Sequence, residues 1–181
     1  PMYGAVGDGG NAGRHQEALG VYRRRSCRGN QFYSTKTLGA FGADLVALTG
    51  FFQTRWRVPV TSLTVEGRYW VLNMVASFLR ALGRLRDAVE PMRAALEGAI
   101  HLGDWHNAAL GGTNLSHLVL ALGEVNQAIE VAENSVELAT SERCGIDRRM
   151  IERRMIAFTT LAEALFQAGR LDEAERHFIQ G

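Results

Sequence analysis

Leu79-Arg-Ala-Leu-Gly-Arg-Leu-Arg-Asp-Ala88 decides the reading of the fold, because its pattern returns twice further along the chain. The later copies are Val119-Leu-Ala-Leu-Gly-Glu-Val-Asn-Gln-Ala128 and Leu165-Phe-Gln-Ala-Gly-Arg-Leu-Asp-Glu-Ala174. A fainter copy, Asn11-Ala-Gly-Arg-His-Gln-Glu-Ala18, sits near the start. In all four a glycine precedes an alanine by five residues: Gly13/Ala18, Gly83/Ala88, Gly123/Ala128 and Gly169/Ala174. Four residues beyond each alanine stand Tyr22, Met92, Ala132 and Phe178.

Each part of the pattern has a mechanical meaning. Glycine after an apolar run can adopt the left-handed conformation that ends a helix. Leu85, Val125 and Leu171, two residues later, are expected to pack into the corner. An acidic or amide residue before the alanine (Asp87, Gln127, Glu173) favours a new helix start. The alanine then lets the second helix approach the first closely. Upstream, apolar residues recur at helical spacing: Leu72, Val75, Ala76, Leu79 and Leu82, then Leu115, Leu118, Val119 and Leu122, then Phe158, Leu161, Ala162 and Leu165. Each unit is therefore a helical hairpin that needs stacked neighbours to bury its apolar face.

The three copies resemble the tetratricopeptide repeat family over residues 69–181, and 1–28 only faintly. The matching positions are Leu72–Val75–Ala76–Leu79–Gly83–Ala88–Met92–Ala95, Leu115–Ser116–Val119–Gly123–Ala128–Ala132 and Phe158–Leu161–Ala162–Leu165–Gly169–Ala174–Phe178. The spacing departs from the family's 34 residues: Gly83 and Gly123 lie 40 apart, Gly123 and Gly169 lie 46 apart. Periods of that size also suit HEAT or armadillo repeats, and elongated copies of this kind look like those in bacterial signalling and regulatory proteins. His101-Leu-Gly-Asp-Trp-His106 and Ser141-Glu-Arg-Cys-Gly-Ile146 are the expected connections between hairpins.

The resemblance implies an all-α fold of antiparallel hairpins stacked in a right-handed superhelix, one solenoid over 1–181. Its parts would be a partial repeat at 1–30, a degenerate hairpin and loop at 31–63, repeats at 64–102 and 108–142, and a partial repeat at 147–181. Within 31–63, Phe32 to Phe52 reads as one helix with Leu38, Phe41, Leu45 and Leu48 on one face. Gln53 to Ser62, with Pro59, reads as an irregular loop, and Thr64 as the cap of the next helix. Pro91 is expected near the start of a second helix, where a missing amide costs little. The last copy reaches Gly181 with its second helix only just begun, whereas solenoids finish with polar capping helices. The expectation is a piece of a longer protein, or ends covered by self-association into a homo-oligomer.

Composition narrows the class. Of 181 residues, 46% are apolar and 22% charged, as in a packed protein rather than a disordered one. The longest mostly apolar stretch, Phe41 to Phe52, contains Asp44 and is too short to span a bilayer, so no membrane is expected. A formal charge of +1 gives no global field for nucleic acid. No signal peptide is read at the start. Cys27 and Cys144 form no CxxC pair and read as idle thiols, which points to the cytoplasm.

Several clusters carry residues capable of chemistry. His101, Asp104, His106 and His117 would form a metal site only if helix continued across Gly103. Gly4-Ala-Val-Gly-Asp-Gly-Gly10 lacks the ending of a phosphate loop, and no hydrolase or metalloprotease motif occurs. Glu130 and Glu133 read as a surface face rather than an acid–base pair. Two arginine clusters (Arg23, Arg24, Arg25, Arg28 and Arg148, Arg149, Arg153, Arg154) read as solvated faces, with Glu152 offsetting the second. No aromatic residues interleave with them as single-strand binding would want. The expectation is therefore no enzyme, no cofactor and no nucleic acid, but a protein or peptide partner.

Where that partner would sit follows from the resemblance alone. The first helix of each tetratricopeptide hairpin lines the concave side. Projected onto this chain, the ligand positions are Trp70, Asn73, Ser77 and Arg80, then Thr113, Asn114 and His117, then Thr159, Glu163, Phe166 and Gln167. Relatives that grip the acidic C-terminus of chaperones carry lysine, asparagine and arginine at set places. Asn114 matches one of these, but Asn73, Ser77, Ile156 and Thr160 replace the rest, so a chaperone clamp is not expected.

Overall fold

A computed structural model describes residues 14–141 and 148–180. Gly13, Cys144 and the expected connection from 142 to 146 lie outside them. The described residues are mostly helical: α1 (His15–Arg25), α2 (Tyr33–Lys36), α3 (Phe41–Thr49), α4 (Val65–Ala81), α5 (Leu85–His101), α6 (Trp105–Ala121), α7 (Val125–Thr140), α8 (Arg148–Gln167) and α9 (Leu171–Gln180). A 3-10 turn covers Gly29–Gln31. Two short strands, β1 (Phe52–Thr54) and β2 (Val58–Pro59), pair antiparallel with Phe52 opposite Pro59 and Thr54 opposite Val58. The chain forms two compact units, Pro1–Ala94 and Ala95–Gly181.

Helix follows helix through turns of one design. Gly83, Gly103, Gly123 and Gly169 all have φ between 69° and 83°. At each, the glycine amide donates three residues back: Gly83 to the Arg80 carbonyl, Gly103 to Ile100, Gly123 to Leu120 and Gly169 to Phe166. The next amide donates five residues back, from Arg84 to Leu79, Asp104 to Ala99, Glu124 to Val119 and Arg170 to Leu165, at 2.9–3.0 Å. That pair of bonds is the Schellman motif, which satisfies carbonyls a helix end would otherwise leave bare. The alanine of the sequence pattern enters immediately. Ala88, Ala128 and Ala174 donate to the carbonyls of Arg84, Glu124 and Arg170, opening the next helix. All three alanines are buried, as expected of residues at a close helix approach.

The turn at Gly103 is a fourth member of this set, beyond the three expected from the repeated pattern. Leu102-Gly103-Asp104-Trp105-His106-Asn107-Ala108 carries the same glycine-to-alanine step, and Ala108 is fully buried and donates to the Asp104 carbonyl. The repeating unit between Gly83 and Gly123 is thus one 17-residue helix plus a three-residue turn, used twice. This accounts for the 40-residue spacing that did not fit the family period. The connection expected across His101–His106 shrinks accordingly, with α6 already under way at Trp105.

In the first unit the core gathers Leu19, Tyr22, Leu48, Phe51, Val71, Val75 and Leu79. Thr64 caps α4 as expected, its Oγ1 accepting the Gly67 amide at 3.1 Å. Three expectations need correction here. The single helix from Phe32 to Phe52 is divided: Gly39 takes φ 62°, the chain turns between α2 and α3, and Leu38 is 63% exposed instead of sharing the face of Leu45 and Leu48. The loop at 53–62 contains the β1–β2 hairpin, so the chain is not purely helical. Pro91 lies seven residues into α5, inside the helix rather than in its first turn.

In the second unit α6 packs on α7 and α8, and α8 packs on α7 and α9. The α6–α7 contact is close because its residues are small. A Cβ on Gly112 would come within 3.0 Å of the Ser135 Cβ. Buried hydroxyls stitch the seam: Ser135 Oγ donates to the Ala109 carbonyl (2.8 Å), Ser116 Oγ to the Ala128 carbonyl (2.8 Å), and Thr113 Oγ1 lies 3.1 Å from Ser135 Oγ. Ala109, Ala139, Met150 and Ala157 continue the core towards α8. Leu171 and Phe178 of α9 depart from expectation. They are 58% and 49% exposed, whereas Met92 and Ala132, which match Phe178 in the earlier copies, are buried.

Candidate functional site

Among the residues that the resemblance implied, those of the second unit converge best. His117 sits on α6 one turn before Ala121, and Glu163 and Gln167 are one turn apart on α8. Both helices turn these side chains outward because the opposite faces carry the buried Leu115, Leu118 and Val119 of α6 and Leu161, Ala164 and Leu165 of α8. His117 Nε2 reaches Glu163 Oε2 across the helices at 3.3 Å, an ion pair when the imidazole is protonated. Around this contact lies a groove of about 520 Å³, lined by His117, Leu120, Ala121, Gly123, Val125, Glu163 and Gln167. Its wall therefore offers a carboxylate, an imidazole and an amide beside an apolar floor.

The neighbouring implied positions are less uniform. Thr159 and Phe166 are exposed on α8, Phe166 beside the groove residue Gln167, while Thr159 Oγ1 returns to the Met155 carbonyl at 2.8 Å. Asn114 is half-buried one turn before His117. Thr113 must be moved. It is 3% exposed, and its hydroxyl is spent inside the α6–α7 seam on the Ala109 carbonyl and Ser135. A helix packed on several sides has little outward face, so a polar residue can belong to its interior when a partner is within reach. Leu120, Ala121 and Val125, which form the apolar floor, were not among the expected positions. Their signal lies in the Leu-Ala-Leu-Gly-Glu-Val run itself, which forms the turn as well as the floor.

In the first unit Asn73, Ser77 and Arg80 are exposed along α4, and Ser77 Oγ donates to the Asn73 carbonyl at 2.9 Å. Trp70 is half-buried and serves packing. Tyr22 meets it edge-on at 6.1 Å, and the Arg23 guanidinium lies 5.2 Å from its ring centre. Arg28 stacks on Tyr33 at 3.7 Å. The first arginine cluster thus has aromatic partners that adjacency in sequence did not reveal. Arg154 of the second cluster donates through Nε to the Ala139 carbonyl (2.8 Å), joining α8 to α7.

Of the residues considered for a metal, Asp104 caps α6, accepting the Asn107 amide (3.3 Å) and its Nδ2 (2.7 Å). Among the described residues no three histidine, cysteine or carboxylate side chains come together as metal ligands. Among them also, no helix is long and apolar enough to cross a membrane. Cys27 is buried beside Tyr22 and Asp44, and burial, with the Asp44 charge adding to it, pushes its thiol up to about 11.

Compared with known proteins, the chain matches no family model, no curated protein and no solved structure.

Proposed function

We propose that the chain is a tetratricopeptide-type scaffold, its hairpins stacked right-handed, that holds a peptide or protein segment in the groove between α6 and α8. The observation that carries this reading is the meeting of His117, Glu163 and Gln167, from two helices, around one opening. Four glycine-to-alanine turns with identical bonding support the repeat assignment. A volume of about 520 Å³ suits a few residues of extended chain, and the mix of polar wall and apolar floor suits a peptide backbone with one buried side chain. Binding, rather than turnover of a substrate, is the role assigned to this site, within a regulatory or assembly protein of the cytoplasm.

Selection of a phage-displayed peptide library on the purified chain tests it. Peptides that enrich should lose affinity for His117→Ala/Glu163→Ala/Gln167→Ala by at least tenfold, as expected when charged and amide contacts are removed. Helix content should not change. Equal binding by the triple variant would sink the groove.

A second reading, self-association, rests on the apolar face of α9, where Leu171, Phe178 and Ile179 are all exposed. Sedimentation across a dilution series decides it: a dimer that Phe178→Asp abolishes favours self-association, and a monomer at every concentration removes it.

A further inference from the structure

A second opening, unconnected with the peptide reading, lies wholly within the first unit. It is a cleft of about 130 Å³ between the tip of the β1–β2 hairpin and the first two turns of α5. That volume is worth about four waters, too small for a peptide and large enough for a phosphate or a carboxylate group. Arg55, Arg57 and Arg86 line it, with Trp56, Asp87 and Glu90.

The electrostatic balance favours an anion. Asp87 is already engaged, its Oδ2 accepting Arg84 Nε at 2.9 Å and Nη2 at 2.6 Å. Glu90 is then the one lining carboxylate, among the described residues, not held by an arginine, against three lining arginines. The cleft also adjoins the start of α5, the positive end of that helix. Guanidinium forks match the paired oxygens of phosphate and carboxylate.

Trp56 supplies an independent sign. It occupies the left-handed region at φ 63°, rare for a bulky side chain, at the third position of a turn closed by the Arg57 amide on the Thr54 carbonyl (2.9 Å). Strain of this kind persists where the surroundings enforce it, and it gathers at binding sites. Its indole is 6% exposed, packed edge-on against Phe52 at 5.6 Å with the Arg55 guanidinium 5.0 Å from its ring centre. Its Nε1–H is buried without a hydrogen-bond partner. A buried donor left unpaired is costly.

We infer that this cleft binds an oxyanion group, phosphate or carboxylate, between Arg55, Arg57 and Arg86, with Trp56 as its wall. Nitrogen–proton correlation NMR of the whole chain tests it, titrating sodium phosphate in one arm and sodium acetate in the other at ionic strength held constant with chloride. The Trp56 indole peak is identified by elimination, using Trp70→Phe and Trp105→Phe. A saturable shift of that peak is expected, and the arm that saturates it at the lower concentration names the source of the oxyanion. Arg57→Gln and Arg86→Gln, both at exposed positions, should each weaken binding about tenfold. Arg24→Gln on α1 should leave it unchanged. No saturation in either arm, or the same midpoint in the Arg57→Gln/Arg86→Gln double variant, overturns the site.

Discussion

Where the chain bends between Val65 and Thr140 it places glycine in the left-handed region, at Gly83, Gly103 and Gly123. Where it bends between Ser26 and Leu63 it uses Gly29 and Gly39 but also Arg28, Phe32 and Trp56. The first stretch meets a backbone demand with the residue that bears it at least cost. The second bears about 1–2 kcal/mol at each non-glycine position and offsets it through packing. Trp56 is buried against Phe52, Arg28 stacks on Tyr33, and Lys36 lies 5.6 Å from the Phe32 ring centre. One region is specified by local chemistry, the other by what its side chains touch after folding.

The contrast can be broken first at the helix seam. Ala128 is fully buried, and Ala128→Leu should cost about 3 kcal/mol in denaturant unfolding by overpacking the α6–α7 contact. A loss below about 1 kcal/mol would mean the seam is looser than it looks. Gly123→Ala comes next. With φ at 83° it should cost about 1–2 kcal/mol although no atom lies within 4 Å of the new Cβ. Its mirror experiment is Arg28→Gly, which relieves the left-handed strain but gives up the Tyr33 stacking. The two effects are of similar size, about 1 kcal/mol, so the net change should lie near zero. Equal losses at Gly123 and Arg28 would erase the distinction.

The smallest effect concerns Cys27. In a Cys144→Ser background it should resist alkylation in the native state near pH 8 and react only on unfolding, because burial disfavours the thiolate. Its raised thiol value means the folded chain holds that proton more tightly than the unfolded one. Its contribution to stability is therefore intact below the ordinary thiol range and is lost as pH climbs towards about 11. Native-state labelling at the rate of a free thiol would contradict this.

How much could be read in advance follows the same divide. Gly83, Gly123 and Gly169 and their alanines announced the turns because glycine and alanine act there through their own backbone and size. The Gly103–Ala108 copy carries the same spacing, flanked by His101, Asp104 and His106, whose side chains also suit metal ligation. Between residues 26 and 63 the decisive bends fall on arginine, phenylalanine and tryptophan, whose intrinsic preferences point elsewhere, so tertiary contacts overrule them. The groove was half legible. His117, Glu163 and Gln167 were found by projecting a repeat, whereas Thr113 was misplaced because its partner Ser135 is 22 residues away. The anion cleft was not foreseen, since it depends on a strand hairpin that no period revealed.

Arg84, Glu124 and Arg170 each give their amide to the helix behind and their carbonyl to the alanine of the helix ahead. One residue is thus the last rung of one ladder and the first of the next, with no slack between. An extra residue inserted beside Gly123 would unhook two helix ends together. Part of the wider spacing from Gly123 to Gly169 lies in α8, whose 20 residues exceed the 17 of α5 and of α6.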